Sequence, residues 1–208
     1  MASSAVWSTI HTERAALAQD LEPLTEQQWD TPSLCDGWSV RDVLGHMTAT
    51  AKQTVPKFFG GLIGSGFRFE AMLDKLREEQ LGSTPADTLS RFESAVDSTT
   101  HPPGPPDAWL GETIVHSEDI RRPLGISHQF PLDAVTEVAD FYRKSNLIIG
   151  GKKRAEGLTL KATDSDWSAG SGPEVSGPGV SLLLAIGGRS AALGDLSGDG
   201  VGALRDRI

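Results

Sequence analysis

Apolar positions recur every three or four residues along most of the chain. Val6, Ile10, Leu17 and Leu21 share one face of a helix over about 4–21, which Ser3 or Ser4 can cap and which Pro23 and Leu24 end. A short turn of helix follows at 25–29. Residues 31–38 (TPSLCDGW) read as a loop punctuated by Pro32 and Gly37. Ser39 then starts a second long helix. It can accept from the third helical amide, and Asp42 in the first turn suits the positive helix end. Val40, Val43, Leu44 and Met47 form its stripe, which is expected to run to about Phe58, with 58–66 (FFGGLIGSG) as a Gly-rich apolar loop. Helices are expected at 68–81 and 85–99. His101 to Pro106 (HPPGPP) cannot be helical. Asp107 caps a helix to about Arg122, stopped by Pro123 and Gly125, and another helix spans about 132–149.

Near residue 150 the pattern changes. Gly150, Gly151, Lys152, Lys153, Arg154 and Gly157 form a polar, basic hinge. Beyond it, 158–163 alternates as a strand does, 174–176 is a second short strand, an apolar helix covers 180–186 and a last short helix 200–207. The expected fold is mainly α: a helical domain at about 1–150 followed by a small α/β domain at about 156–208.

Composition narrows the function. A chain of 208 residues suits one large domain or two small ones. With 19 Lys plus Arg against 28 Asp plus Glu, the net charge of −9 argues against nucleic acid or an anionic membrane as a partner, since both demand a basic face. The single cysteine, Cys35, excludes an internal disulfide, a Cys-rich zinc site and a two-cysteine redox motif. The first residues lack the basic stretch and apolar run of a signal peptide, and the longest apolar run, 182–186, is far below a membrane span. A cytoplasmic protein is expected.

Glu112 and His116 are the most informative pair. Four apart on one helix, their side chains sit one turn apart on one face, with Asp119 near the same face. His46 lies on another helix, at the shoulder of its apolar stripe. Two histidines and a carboxylate suit a catalytic zinc, with an open position for water or a thiol. Spacing alone leaves two readings open: metal ligands, or a solvated pair with a histidine at the core edge. Cys35 reads as a packed thiol, and Trp109, three residues before Glu112, as core. A glycine-rich run at 198–203 resembles a dinucleotide fingerprint but has no room for the βαβ unit it requires.

The segment Cys35-Asp-Gly-Trp-Ser-Val-Arg-Asp-Val-Leu-Gly-His46 resembles a signature of the mycothiol-dependent maleylpyruvate isomerase family, within the DinB-like four-helix-bundle superfamily. Glu112-Thr-Ile-Val-His116-Ser-Glu-Asp-Ile-Arg-Arg-Pro resembles its second signature. The C-terminal stretch is similar to the family's second domain at 158–164, Trp167, 172–174, 177–178 and Gly188-Arg189. The resemblance implies a DinB-like bundle carrying zinc, or another divalent metal, on His46, Glu112 and His116. It implies mycothiol as a thiol cosubstrate and a small electrophile as substrate. A thiol on zinc loses its proton near neutral pH. In a maleylpyruvate isomerase the thiolate adds to the cis double bond, the bond rotates, and fumarylpyruvate leaves. Arg189 is the candidate for gripping a substrate carboxylate, because its fork matches one in bidentate fashion. Arg121 and Arg122 are weaker candidates. A mycothiol S-transferase and a non-catalytic metal-binding member are the rival readings.

Overall fold

The computed structural model describes residues 3–146 and 149–208. The chain forms two compact units, Met1–His128 and Gln129–Ile208.

The first unit holds α1 (Ser3–Leu21), α2 (Glu26–Trp29), α3 (Val40–Lys52), α4 (Val55–Gly64), α5 (Phe69–Leu81), α6 (Pro85–Glu93) and α7 (Pro106–Leu124). Helices α1 and α3 each pack on both α6 and α7, which closes a four-helix bundle; α5 lies against α3 and α6. The bundle's interior includes Leu17, Leu21, Val43, Leu44, Met47, Phe92 and Ile120, all buried. Close packing of α3 on α5 depends on Gly45. A Cβ there would stand 2.9 Å from the Leu81 side chain and 3.2 Å from the Arg77 carbonyl oxygen. Arg41 ties the same corner together, donating to Thr88 Oγ1 (2.9 Å) and to the carbonyls of Leu81 (3.0 Å) and Gly82 (3.1 Å).

Several features of this unit differ from the periodicity. Helix α6 ends at Glu93 rather than near 99, and Asp107 falls in the first turn of α7, with Pro105 at its N-cap. The second long helix stops at Lys52 rather than near Phe58, because Thr54 caps a new helix whose first turn carries Pro56. That helix, α4, occupies most of the segment expected as loop. None of its residues is buried, although it is strongly apolar; Val55, Phe59 and Ile63 form an exposed stripe at spacing four. Helix α7 runs through Pro123 to Leu124 and ends at Gly125, whose left-handed conformation (φ 70°) closes the C-terminus.

The second unit contains α8 (Leu132–Tyr142), α9 (Gly151–Ala155), β1 (Thr159–Ala162), β2 (Ser168–Gly170), β3 (Glu174–Gly177), α10 (Gly179–Ile186), a 3-10 helix (Ser190–Asp195) and α11 (Val201–Arg205). The sheet order is β2-β1-β3, with β1 antiparallel to β2 and parallel to β3. Composition places the change of character near 150, whereas the compact units divide after His128. The reason is α8, whose buried face of Ala134, Val135, Val138 and Ala139 accompanies packing against α10, which is apolar except for Ser181. The last residues of the helix expected over 132–149 include two outside the described residues. The observed architecture is mainly helical, a four-helix bundle followed by a small α/β unit, as the sequence implies.

Candidate metal centre

Helix α3 carries His46 next to Gly45. The His46 ring lies 5.0 Å, centroid to centroid, from that of His116 on α7, at an interplanar angle of 75°. Ligand atoms of His46, Glu112 and His116 all fall within 4.8 Å of one another. The structure therefore gathers the three residues that helical spacing and the two signatures single out.

Glu112 is the key to the centre's chemistry. Both carboxylate oxygens are buried, and neither has a hydrogen bond of regular geometry. Burial pushes the Glu112 carboxyl up from its ordinary range, while His116, Arg14 and the Thr50 hydroxyl oppose the shift. Arg14 of α1 stands behind it, 1% exposed, donating from Nη1 to the Ser98 carbonyl (3.1 Å). Burial lowers the Arg14 pKa, and Glu112 counters it. The sequence holds a signal for Arg14 that the helical reading passes over, since it falls on the buried stripe one turn after Ile10.

His116 is oriented from behind. Asp119, fully buried, receives the His116 Nδ1–H on Oδ2 at 2.9 Å. That bond leaves Nε2 as the nitrogen with a lone pair for a metal. Burial would lower the His116 pKa, but hydrogen bonding to Asp119 and Cys35, with the Asp119 charge, outweighs it and pushes it up to about 10. Cys35 packs beside the core, as the sequence suggests, yet its Sγ also lies 3.1 Å from Asp119 Oδ2 and 3.6 Å from His116 Nδ1. This contact is absent from the sequence reading, because 84 residues separate Cys35 from Asp119.

Trp38 walls the centre, with its ring 5.1 Å from that of His46 and the Arg77 guanidinium 5.4 Å from the Trp38 centroid. Trp109 belongs to a stack in which the His101 ring lies between Trp7 (5.5 Å) and Trp109 (5.7 Å). Arg121 and Arg122 are tied into the scaffold. Arg121 is fully buried and donates from Nε to Asp20 (2.7 Å), and Arg122 donates to Glu118 (2.9 Å). Arg189 lies in the second unit just beyond α10, half-buried, where Nη1 donates to the Gly187 carbonyl at 2.9 Å.

The donor set fits a divalent metal. A buried carboxylate whose oxygens lack regular hydrogen bonds, facing two imidazoles and only partly offset by Arg14 and His116, is a set that a divalent cation would complete. Two nitrogens and one oxygen match the borderline ions, zinc foremost.

Residues 10–119 match the family described as the mycothiol maleylpyruvate isomerase N-terminal domain, which covers both α3 and the Glu112–His116 turn of α7. Two solved structures share the fold over 96% of this chain and 93% of theirs. One is a histidine-to-alanine mutant of the mycothiol-dependent maleylpyruvate isomerase (TM-score 0.64, 13% identity). The other is a crystal structure of the mycothiol-dependent maleylpyruvate isomerase (TM-score 0.61, 12% identity). No curated protein gives a significant match to the sequence. Among the described residues no helix is long and apolar enough to cross a membrane. With more than half of its length matched by the family, this chain belongs to the mycothiol maleylpyruvate isomerase N-terminal domain family.

Proposed function

We propose that this protein is a divalent-metal enzyme of the mycothiol-using class, joining the sulfur of a small thiol to an electrophilic substrate. The observation that carries the reading is the buried Glu112 carboxylate, without a regular hydrogen bond, set against His46 and His116. These three residues hold the metal, and zinc is the ion their chemistry favours. When bound, such an ion supplies a positive charge that brings the proton of a coordinated thiol within reach of neutral pH.

The chain's own residues do the rest. Asp119 fixes the His116 ring and its tautomer, which sets the direction of the lone pair before any ligand arrives. Trp38 shields His46 from water on one side, and Arg14 offsets the charge of Glu112 from within the bundle. A protein nucleophile is unnecessary, because the sulfur comes from the cosubstrate. Arg189 is the residue assigned to a substrate carboxylate, as a planar fork outside the metal trio. The reaction class is addition of the thiol sulfur to an electrophilic carbon. With maleylpyruvate, addition makes the cis double bond single, rotation follows, and release of the sulfur re-forms it as trans. The cytoplasm, where a low-molecular-weight thiol pool is reduced, is the assigned compartment.

Metal analysis combined with mycothiol binding tests the shared core of this reading. Expected are one zinc per chain after zinc addition at neutral pH, and thiol binding that disappears in His46→Ala. Turnover is then followed with maleylpyruvate and with model electrophiles. Regeneration of free thiol identifies an isomerase, and a product retaining the sulfur identifies a transferase. Protein that takes up no stoichiometric divalent metal overturns the proposal.

A further inference from the structure

Pro123 lies inside α7, four residues after Asp119. A proline has no N–H, and its ring crowds the carbonyl one turn earlier. The Asp119 carbonyl therefore loses its helical partner. The amide of Leu34, in the loop before α3, takes that place at 3.1 Å.

The docked loop is internally braced. Pro32 and Ser39 form a bridge across its neck. Ser33 N donates to the Trp38 carbonyl at 2.9 Å, as does Ser33 Oγ at 2.8 Å, and Ser33 Oγ accepts the Cys35 amide at 3.1 Å. Hung on the Asp119 backbone by Leu34, the loop carries Cys35 onto the Asp119 side chain. The thiol sits 3.1 Å from the oxygen that also accepts from His116. A cysteine that only filled space would sit among carbons. This one makes a triangle with a carboxylate oxygen and a ring nitrogen, with edges of 3.1, 3.6 and 2.9 Å.

We infer that Cys35 is a positioning residue for the metal centre: its thiol steadies the Asp119 carboxylate that holds the His116 ring, so the loop moored by Pro123 sets metal affinity without supplying a ligand. The inference rests on His46, Glu112 and His116 being the metal site. Outer partners of metal-bound histidines, when removed, weaken metal binding about 10–100-fold.

The test is zinc affinity of the full chain, measured by competition with a chromophoric chelator, together with the visible spectrum of the cobalt-substituted protein. Cys35→Ala is expected to weaken zinc binding about 10-fold and to shift the cobalt bands, because the His116 ring loses its restraint. Cys35→Ser keeps a donor and is expected to stay within about 3-fold of the native affinity. If Cys35→Ala fails to fold, Cys35→Val keeps the volume, removes the donor and is expected to show the same weakening. Native zinc affinity and an unchanged cobalt spectrum in Cys35→Ala or Cys35→Val overturn the inference and leave the metal site standing. A native chain that binds neither zinc nor cobalt overturns both.

Discussion

Helix α7 buries charge in its middle and again near its C-terminal end, and the fold treats the two regions differently. Near the end, Arg121 reaches Asp20 and Arg122 reaches Glu118, so each buried or half-buried ion meets an opposite ion. Two to three turns earlier, Glu112 is buried with no regular hydrogen bond, in the company of two imidazoles, an arginine and the Thr50 hydroxyl. Near the end of the helix the charges are held by opposite ions of the chain itself. In the middle the carboxylate is only partly offset, by Arg14 and His116, and its oxygens face a second imidazole rather than regular hydrogen bonds. The same helix thus uses one end as scaffold and sets a candidate ligand in its middle.

The largest effect that could break this contrast is on metal binding. His46→Ala and Glu112→Gln are each expected to lower zinc affinity by more than the roughly 100-fold upper range for an outer partner, measured by chelator competition. Equal affinity in either would place the metal site elsewhere. Next, Arg121→Ala is expected to cost about 3 kcal/mol of stability in urea unfolding, the low end for a broken buried pair because Asp20 is partly exposed. Its zinc affinity should stay native. Zinc itself should stabilise the native chain by about 2.7 kcal/mol at a free concentration 100 times its dissociation constant, and should not stabilise Glu112→Gln. Smallest is Arg122→Ala. Arg122 is partly exposed, but its loss strands the buried Glu118 carboxylate, so about 1–2 kcal/mol is expected, above the value for an exposed i,i+4 pair and resolvable in a thermal melt.

The grouping of His46, Glu112 and His116 was only partly legible from local information. Glu112 and His116 are one helical turn apart and His46 follows a cap and stripe that define α3, but spacing leaves a solvated pair as open as a metal site, and the resemblance of the two signatures is what implies a shared ligand set. The bundle was legible from local periodicity, in Ile10, Leu17, Val43 and Leu44. What escaped depends on distance or on context. Cys35 meets Asp119 only because a proline far along the chain frees a carbonyl, and Pro123 read simply as a helix stop. Helix α4 escaped because Gly60, Gly61 and Gly64 outweighed the Thr54 cap and Pro56, the two marks that did announce it. The division after His128 escaped because α8 looks like one more bundle helix until α10 is seen to take its apolar face.

Helix α4 has a consequence of its own. Helices shorter than about 12–15 residues are marginal in water, and each interior glycine costs up to about 1 kcal/mol relative to alanine. Ten residues with three glycines and no buried side chain therefore hold their shape on packing against α5, which Gly61 allows to come close: a Cβ there would meet the Met72 sulfur at 3.2 Å. The neighbouring α3, with nine buried residues, has no such weakness. In deuterated water the amides of 58–64 will trade their protons long before those of 43–52, and the bundle will breathe first along this one strip.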